Sequence, residues 1–241
     1  MLYIYKGHYP PVASRLISLI TQNKMDQLTD FLAQNPHIYH ATPQSPGFEE
    51  LRLGFVINES PTPAIVLRPR SAEEVAALIP VLTKNNLQFT VKVGGHDIFG
   101  RSQVSNGVII DLRVISHIHV DAEAQTARLG GGVMAMDMLE ALQKHHLVTP
   151  YGLPPVMGQA GWAMFGGYGL LTSKHGLGVD QIVGAKVVDA EGKICEADET
   201  MLTGIRGGGG ALGVIVELTL KVYPSAQVGK ISSRPPNYSF D

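Results

Sequence analysis

At 241 residues the chain can bury a sizeable core, as one large domain or as two small ones. A formal net charge of -2, with both signs interspersed, gives no basic footprint for nucleic acid or for an anionic membrane surface, which leaves a small molecule as the expected partner. Cys195 is the only cysteine, which excludes an intrachain disulfide and leaves the redox compartment open.

No apolar run reaches the roughly 18 residues of a spanning helix. The first residues also lack the charged, apolar, small-residue order of a signal peptide, so a soluble chain is expected, with the cytoplasm as its simplest compartment. Glycine is the loudest compositional feature, with 27 residues, about half of them concentrated at 94–95, 130–132, 158–169 and 207–210. Loops defined by their backbone therefore matter more here than charged side chains.

Residues 1–45 place Leu16, Ile17, Leu19 and Ile20, then Met25, Leu28, Phe31 and Leu32, at helical spacing broken near Asn23 and Asn35, which predicts a small helical lead-in. Ala41 to Phe48, with two prolines and a glycine, reads as a loop. Ala64 to Leu67 is a short apolar strand. Ser71 and Glu74 then form a capping-box signature ahead of Val75, Leu78, Ile79 and Leu82, a helix kinked by Pro80. Phe89, Val91 and Val93 alternate with Thr90 and Lys92 as a strand, and Val108 to Leu112 is another. Strand, helix and strand at this spacing predict a βαβ unit, with the loop after Val93 at the carboxyl end of a strand, where ligands gather in open α/β sheets.

The second half changes style. Ile118–Asp121 and Thr126–Leu129 flank a polar turn as a hairpin, a helix follows from about Met136 to His145, and Val183–Val188 with Lys193–Ile194 flank a second turn. Val214, Val216, Leu218, Leu220 and Val222 share one face of a long strand ending at Pro224. The fold class is therefore α+β, in two lobes: a small βαβ-containing one over about 46–115 and a larger, mainly antiparallel one over 116–224. Residues 225–241 form a serine- and proline-rich tail, expected to be disordered or truncated.

The chemistry is expected in Val93-Gly94-Gly95-His96-Asp97-Ile98-Phe99-Gly100-Arg101-Ser102. Two glycines after a strand allow a tight turn whose N–H groups approach a ligand as an anion nest does. A histidine delivered there can ligate a metal, act as a base, carry a covalent cofactor, or simply be a hydrogen-bonded loop residue. Gly130 to Ala135 fits G-x-G-x-x-A between strand and helix, but lacks the acidic ribose ligand about 20 residues on. Gly208 to Gly213 spells G-x-G-x-x-G but runs into a strand and fails on context. His117 with His119, and His145 with His146, have no nearby carboxylate or cysteine company, so no metal site is expected.

Pro63-Ala64-Ile65-Val66, Ser71 to Val75, Gly94-Gly95-His96, Gly107 to Leu112, Gly158 to Gly169, His175 to Asp180 and Arg206 to Gly213 occur in an order that resembles one family. It is the flavin domain of berberine-bridge-like oxidases, a PCMH-type FAD-binding domain of the vanillyl-alcohol oxidase superfamily, and the resemblance covers about residues 50–224. It implies FAD as cofactor, with His96 bonded to the 8α-methyl carbon of the flavin. It also implies a diphosphate loop formed by Lys92, Val93, Gly94, Gly95, Asp97, Gly100, Arg101 and Ser102. Gly158, Gly161, Gly166, Gly167 and Gly169 would pass close to the cofactor, and Val214 and Ile215 would meet its adenine or ribose. The implied activity is hydride transfer from a small organic substrate to flavin, with dioxygen as acceptor. A non-redox flavin-binding module or scaffold is the alternative.

Departures from the family pattern sharpen these expectations. Pro154 stands where many members have a second covalent anchor, a cysteine, so a single link is expected. Lys92 replaces the usual arginine before the loop, and Ala211 stands where asparagine is frequent. In the family a substrate domain with the proton-abstracting residue follows, whereas this chain stops at Asp241, so a longer form or a partner is expected to supply it. Tyr151, Tyr168 and His175 are the nearest candidates for a base, and each reads as structural.

Overall fold

Helix, loop and strand alternate through the small lobe because its apolar residues change period along the chain. The computed structural model describes residues 24–55 and 61–227. Leu16–Ile20 of the lead-in and the tail beyond 227 lie outside the described residues. Within the lead-in, residues 24–34 form helix α1, which buries Leu28 and Leu32. Pro36 cannot continue a helix, and the chain next forms strand β1 (Tyr39–Ala41), antiparallel to β2 (Ile65–Arg68) through Tyr39↔Arg68 and Ala41↔Val66. The lead-in is thus a helix and a strand, where helical spacing alone was expected. A short helix, α2 (Phe48–Arg52), opens at Gly47 in the left-handed region.

Helix α3 (Ala72–Lys84) is capped as the sequence predicts, with Ser71 accepting from the Glu74 N–H. The Glu74 carboxylate accepts from the Arg70 N–H, one residue before the cap, at 2.8 Å. Val75, Leu78, Ile79 and Leu82 are buried, and the helix runs unbroken through Pro80. Strands β3 (Phe89–Lys92) and β4 (Val108–Asp111) complete a sheet of order β1-β2-β4-β3, with β2 and β3 each parallel to β4. The βαβ unit is present, with β4 inserted between its two strands. The register Lys92↔Asp111 puts the histidine loop just past the carboxyl edge of this sheet.

The large lobe begins with the predicted hairpin, β5 (Ile118–Asp121) and β6 (Thr126–Gly130), followed by α4 (Ala135–Gln143) and β7 (Leu147–Val148). Three short helices, α5 (Gln159–Met164), α6 (Thr172–His175) and α7 (Gly178–Gln181), lead into β8 (Ile182–Val188) and β9 (Ile194–Glu196). Helix α8 (Glu199–Gly208) precedes β10 (Val214–Lys221), and β11 (Tyr223–Pro224) pairs with β7. The main sheet has the order β5-β6-β10-β8-β9 and is antiparallel throughout.

The lobes share apolar contacts. Val188, Val214 and Val216 of the large sheet belong to the same buried cluster as Val75, Leu78 and Ile79 of α3. Side-chain atoms added to Gly130 or Gly132 would collide with the carbonyl oxygens of Ile115 and Leu112 of the small lobe, and on Gly131 with that of Ile215 in β10, so this triplet packs tightly on both sides. Close backbone packing accounts for glycine at these three positions of the G-x-G-x-x-A pattern.

Candidate functional site

A cavity of about 950 Å³ opens between the lobes. It is near the upper end of the range of about 300–1,000 Å³ for small-molecule sites, room for a large two-part ligand. Of the expected site residues, Val93, Gly94, Gly95, His96, Asp97, Arg101, Ser102, Gly158, Gly161, Gly167, Val214 and Ile215 line it. Its walls are mainly apolar, contributed by residues such as Leu112, Met157, Trp162, Met164 and Phe165.

Four expected residues do not line the cavity, each for a definite reason. Lys92 is 2% exposed and turned beneath the loop, where its Nζ donates to the carbonyls of Leu51 (2.7 Å) and Leu53. Burial, with Arg113 nearby, outweighs the pull of Asp111 and lowers its pKa from 10.5 to about 8. Gly100 closes a turn on the Asp97 carbonyl (3.2 Å) with φ of 72°. Gly166 takes φ of 108° at the end of the α5 turn, and Gly169 abuts the Tyr151 carbonyl.

The glycines divide into two kinds. A side chain on Gly94 would collide with the Val156 carbonyl, and one on Gly158 would come within 2.7 Å of Val93, so these two let the first and second loops touch. Gly167, Gly169 and Gly178 surround the Trp162 indole, whose Nε1 donates to the Tyr168 carbonyl at 3.3 Å. Gly161, Gly208 and Gly210 differ. They line the cavity, none has a positive φ, and nothing lies within 4 Å of where their Cβ would be. Neither backbone conformation nor protein packing asks for glycine there. Gly208 to Gly213 fails as a dinucleotide fingerprint because it enters a strand, yet Gly208, Gly210, Ala211, Leu212 and Gly213 all line the cavity. Trp162 and Phe165, which also line it, carry no signal of that role in the sequence.

The histidine loop is braced from within. Asp97 accepts from the Arg101 backbone N–H, from Nη2 at 2.7 Å and from Nε at 3.0 Å. Burial works to raise the Asp97 pKa, but the hydrogen bonds and charge of Arg101 outweigh it and hold the carboxyl below its ordinary range. Among the described residues the N–H groups of Gly94, Gly95 and His96 donate to no other backbone group. A row of unspent donors after a strand is what a diphosphate requires. The His96 ring stacks on Phe55 with centroids 4.8 Å apart, and burial lowers its pKa, which favours the neutral imidazole. Of the three candidate bases only Tyr168 lines the cavity. Tyr151 packs on the large-lobe core, and His175 stacks on Tyr223 at 3.9 Å, outside the lining.

Residues 63–198 match the family model of the FAD binding domain. (R)-6-hydroxynicotine oxidase of Paenarthrobacter nicotinovorans is 36% identical over 165 residues, which is 67% of this chain and 36% of the relative. FAD-linked oxidoreductase aurO of Gibberella zeae is 35% identical over 206 residues, 85% of this chain and 40% of the relative. Among solved structures, 6-hydroxy-D-nicotine oxidase from Arthrobacter nicotinovorans aligns with a TM-score of 0.75 at 31% identity, covering 78% of this chain and 42% of that one. BBE-like 1 of Physcomitrella patens gives 0.77 at 25%, covering 81% and 44%. The chain thus spans about two fifths of the length of these relatives. With over half of its sequence matched by the family model, and with the cavity, the histidine loop and the open glycines in place, the chain belongs to the FAD binding domain family, among berberine-bridge-like relatives.

Proposed function

We propose that this chain binds FAD in the cavity between its lobes, bonds it through His96 alone, and serves as the cofactor-carrying part of an oxidoreductase of the berberine-bridge-like type. The observation that carries this reading is the trio Gly161, Gly208 and Gly210, which leaves room along the wall that the protein itself does not use. Gly161 lies inside α5, where glycine costs about 1 kcal/mol relative to alanine. Retaining it there makes sense if the space belongs to a ligand.

On this reading the free N–H groups of Gly94, Gly95 and His96 meet the diphosphate, and Val214 and Ile215 flank the adenine or ribose. The apolar walls around Leu112, Met157 and Trp162 offer the ring system apolar surface on the inner side of the cavity. Bound in this way, the flavin supplies hydride acceptance from a substrate C–H and return of the electrons to dioxygen as hydrogen peroxide. His96 anchors it as a neutral imidazole. No second anchor is at hand: Pro154 has no thiol, and Cys195 lies on β9 with its Sγ against the Val187 carbonyl at 3.6 Å. The substrate wall and its base would come from a longer form of the gene product or from a partner, since the relatives are more than twice as long.

Trp162 is the only tryptophan and lines the cavity, so its fluorescence reports occupancy directly. FAD should quench it, and after acid or urea denaturation the yellow colour should remain on the peptide containing His96. Quantitative release of free flavin from loaded protein would overturn the single-link reading, and an unquenched Trp162 would overturn FAD binding itself.

A further inference from the structure

The histidine loop is held from below by a segment that precedes it by some forty residues. Lys92 fixes the carbonyls of Leu51 and Leu53. Two residues on, the Phe55 N–H donates to the Gly95 carbonyl at 2.8 Å. Between these ties Gly54 lies against Gly95, so close that a Cβ on Gly95 would come within 3.2 Å of the Gly54 Cα. Three successive contacts therefore bring Phe55 to one place, beside His96, and the two rings stack at 4.8 Å with 22° between their planes.

Phe55 gains little burial there, being 65% exposed. A large aromatic held so open on a tied segment calls for a reason other than core packing. His96, for its part, has neither ring nitrogen in a hydrogen bond among the described residues. A histidine whose tautomer and orientation matter is ordinarily fixed by a partner on the other nitrogen. Here the stacked ring is, among the described residues, a contact that limits rotation of the imidazole, and it does so without occupying a nitrogen.

We propose that Phe55 is a positioning residue for cofactor attachment, holding the His96 imidazole by its face so that a ring nitrogen is presented, uncharged and unbonded, to the 8α-methyl carbon of the flavin. This rests on His96 being the attachment point. In the attachment step a C–N bond forms while one methyl C–H and the imidazole N–H are lost; the two electrons and two protons released pass to dioxygen, giving hydrogen peroxide. The attacking group is the lone pair of the neutral ring, so any proton on it must leave first. Phe55 covers one face of the ring from water, and desolvation disfavours the imidazolium. Removing the phenyl ring thus frees the imidazole to rotate and lets its pKa rise toward the ordinary value.

The test compares the full 241-residue chain with Phe55→Ala and Phe55→Tyr, each loaded aerobically with FAD. Reversible binding, followed by Trp162 quenching, should stay within about threefold in both variants. Covalent incorporation, followed as flavin that survives denaturation, should slow by about tenfold or more in Phe55→Ala. The acid limb of its pH profile should move to higher pH, matched by the His96 ring titration in ligand-free protein followed by NMR. Phe55→Tyr should retain the wild-type rate and limb. Exposure of Phe55 makes a folding defect easy to detect, since the melting curve of the alanine variant should be nearly unchanged. An unaltered incorporation rate and limb in Phe55→Ala would overturn the positioning role while leaving His96 as the anchor. Wild-type protein that binds FAD without ever bonding it would overturn both.

Discussion

The guanidinium of Arg101 lies 4.4 Å from the centre of the Phe165 ring, so a side chain of the histidine loop touches the second glycine loop across the cavity mouth. The same guanidinium is held by Asp97 at 2.7 Å. It braces its own loop and bridges to the opposite one. Because an exposed cation–π contact is worth about 0.5–1 kcal/mol, Phe165→Leu should weaken FAD binding by only about two- to fivefold. Arg101→Met also releases Asp97, so its carboxylate would face the diphosphate unpaired. It should weaken binding by about tenfold or more and change how binding responds to salt. Trp162 quenching at low and high ionic strength measures both, and equal effects from the two variants would show that the bridge, not the ion pair, is what matters.

Gly161 and Gly94 line the same cavity yet should respond oppositely to alanine. At Gly161 the new methyl meets nothing within 4 Å, and the helix gains about 0.5–1 kcal/mol, so ligand-free protein should melt higher. The same methyl occupies the space reserved for the ligand, and FAD retention should fall. At Gly94 it would collide with the Val156 carbonyl, so stability should drop with or without FAD. Melting curves of both variants, empty and loaded, separate these cases. Gly161→Ala that stabilises both forms equally would show that no ligand uses that wall.

These contrasts mark how far the chain could be read before its structure. Val75, Leu78, Ile79 and Leu82 sit at one period on one face, so α3 and its buried stripe were legible, as were the strands around His96 and the hairpins of the large lobe. Glycine is ambiguous in sequence, because the same letter serves a positive φ, a close backbone contact or an open space for ligand. Only the coordinates divide Gly167, pressed against Gly178 and Trp162, from Gly161, which faces empty space. Lys92 was equally illegible. Its alternation with Val91 and Val93 places it on a strand but says nothing of the Leu51 and Leu53 carbonyls that draw it inward. Phe55 lies too far from His96 along the chain for any local pattern to pair them.

Lys92 makes stability depend on pH in a defined direction. Its folded pKa of about 8 is below the ordinary 10.5, so between these values the unfolded chain binds more protons than the folded one. Stability therefore rises with pH across that window, and the contribution is lost as pH falls through about 8. The neutral amine still has two N–H groups for the two carbonyls, so deprotonation need not break the tie. The change should be on the order of 2–3 kcal/mol. Denaturant unfolding of wild type and Lys92→Met from pH 7 to above 10 checks it. The wild-type stability should climb relative to the variant, and parallel curves would mean that Lys92 titrates normally.

Turnover by this chain alone should be slow, for reasons visible in the cavity. Proton abstraction needs a base within hydrogen-bond reach of the substrate. Among the described residues, five titratable side chains line the cavity: His96, Asp97, Arg101, Tyr168 and Asp189. His96 is assigned to attachment, Asp97 and Arg101 neutralise one another, and Asp189 accepts from the Glu191 and Lys193 N–H groups of its hairpin turn. Tyr168 remains, but it is 81% exposed, so its hydroxyl is solvated and poorly placed to take a proton from a substrate held deeper in the cavity. The mouth around it is open as well, since Ile98, Phe99 and Phe165 are exposed apolar side chains on the same rim. Such a rim admits water to the site and favours association between molecules. The loaded chain should therefore bleach slowly, if at all, when mixed anaerobically with alcohols, sugars or cyclic amines, and its sedimentation coefficient should rise with concentration. Rapid bleaching by any one compound would show that a base is present after all. Loss of that bleaching in Tyr168→Phe would identify it.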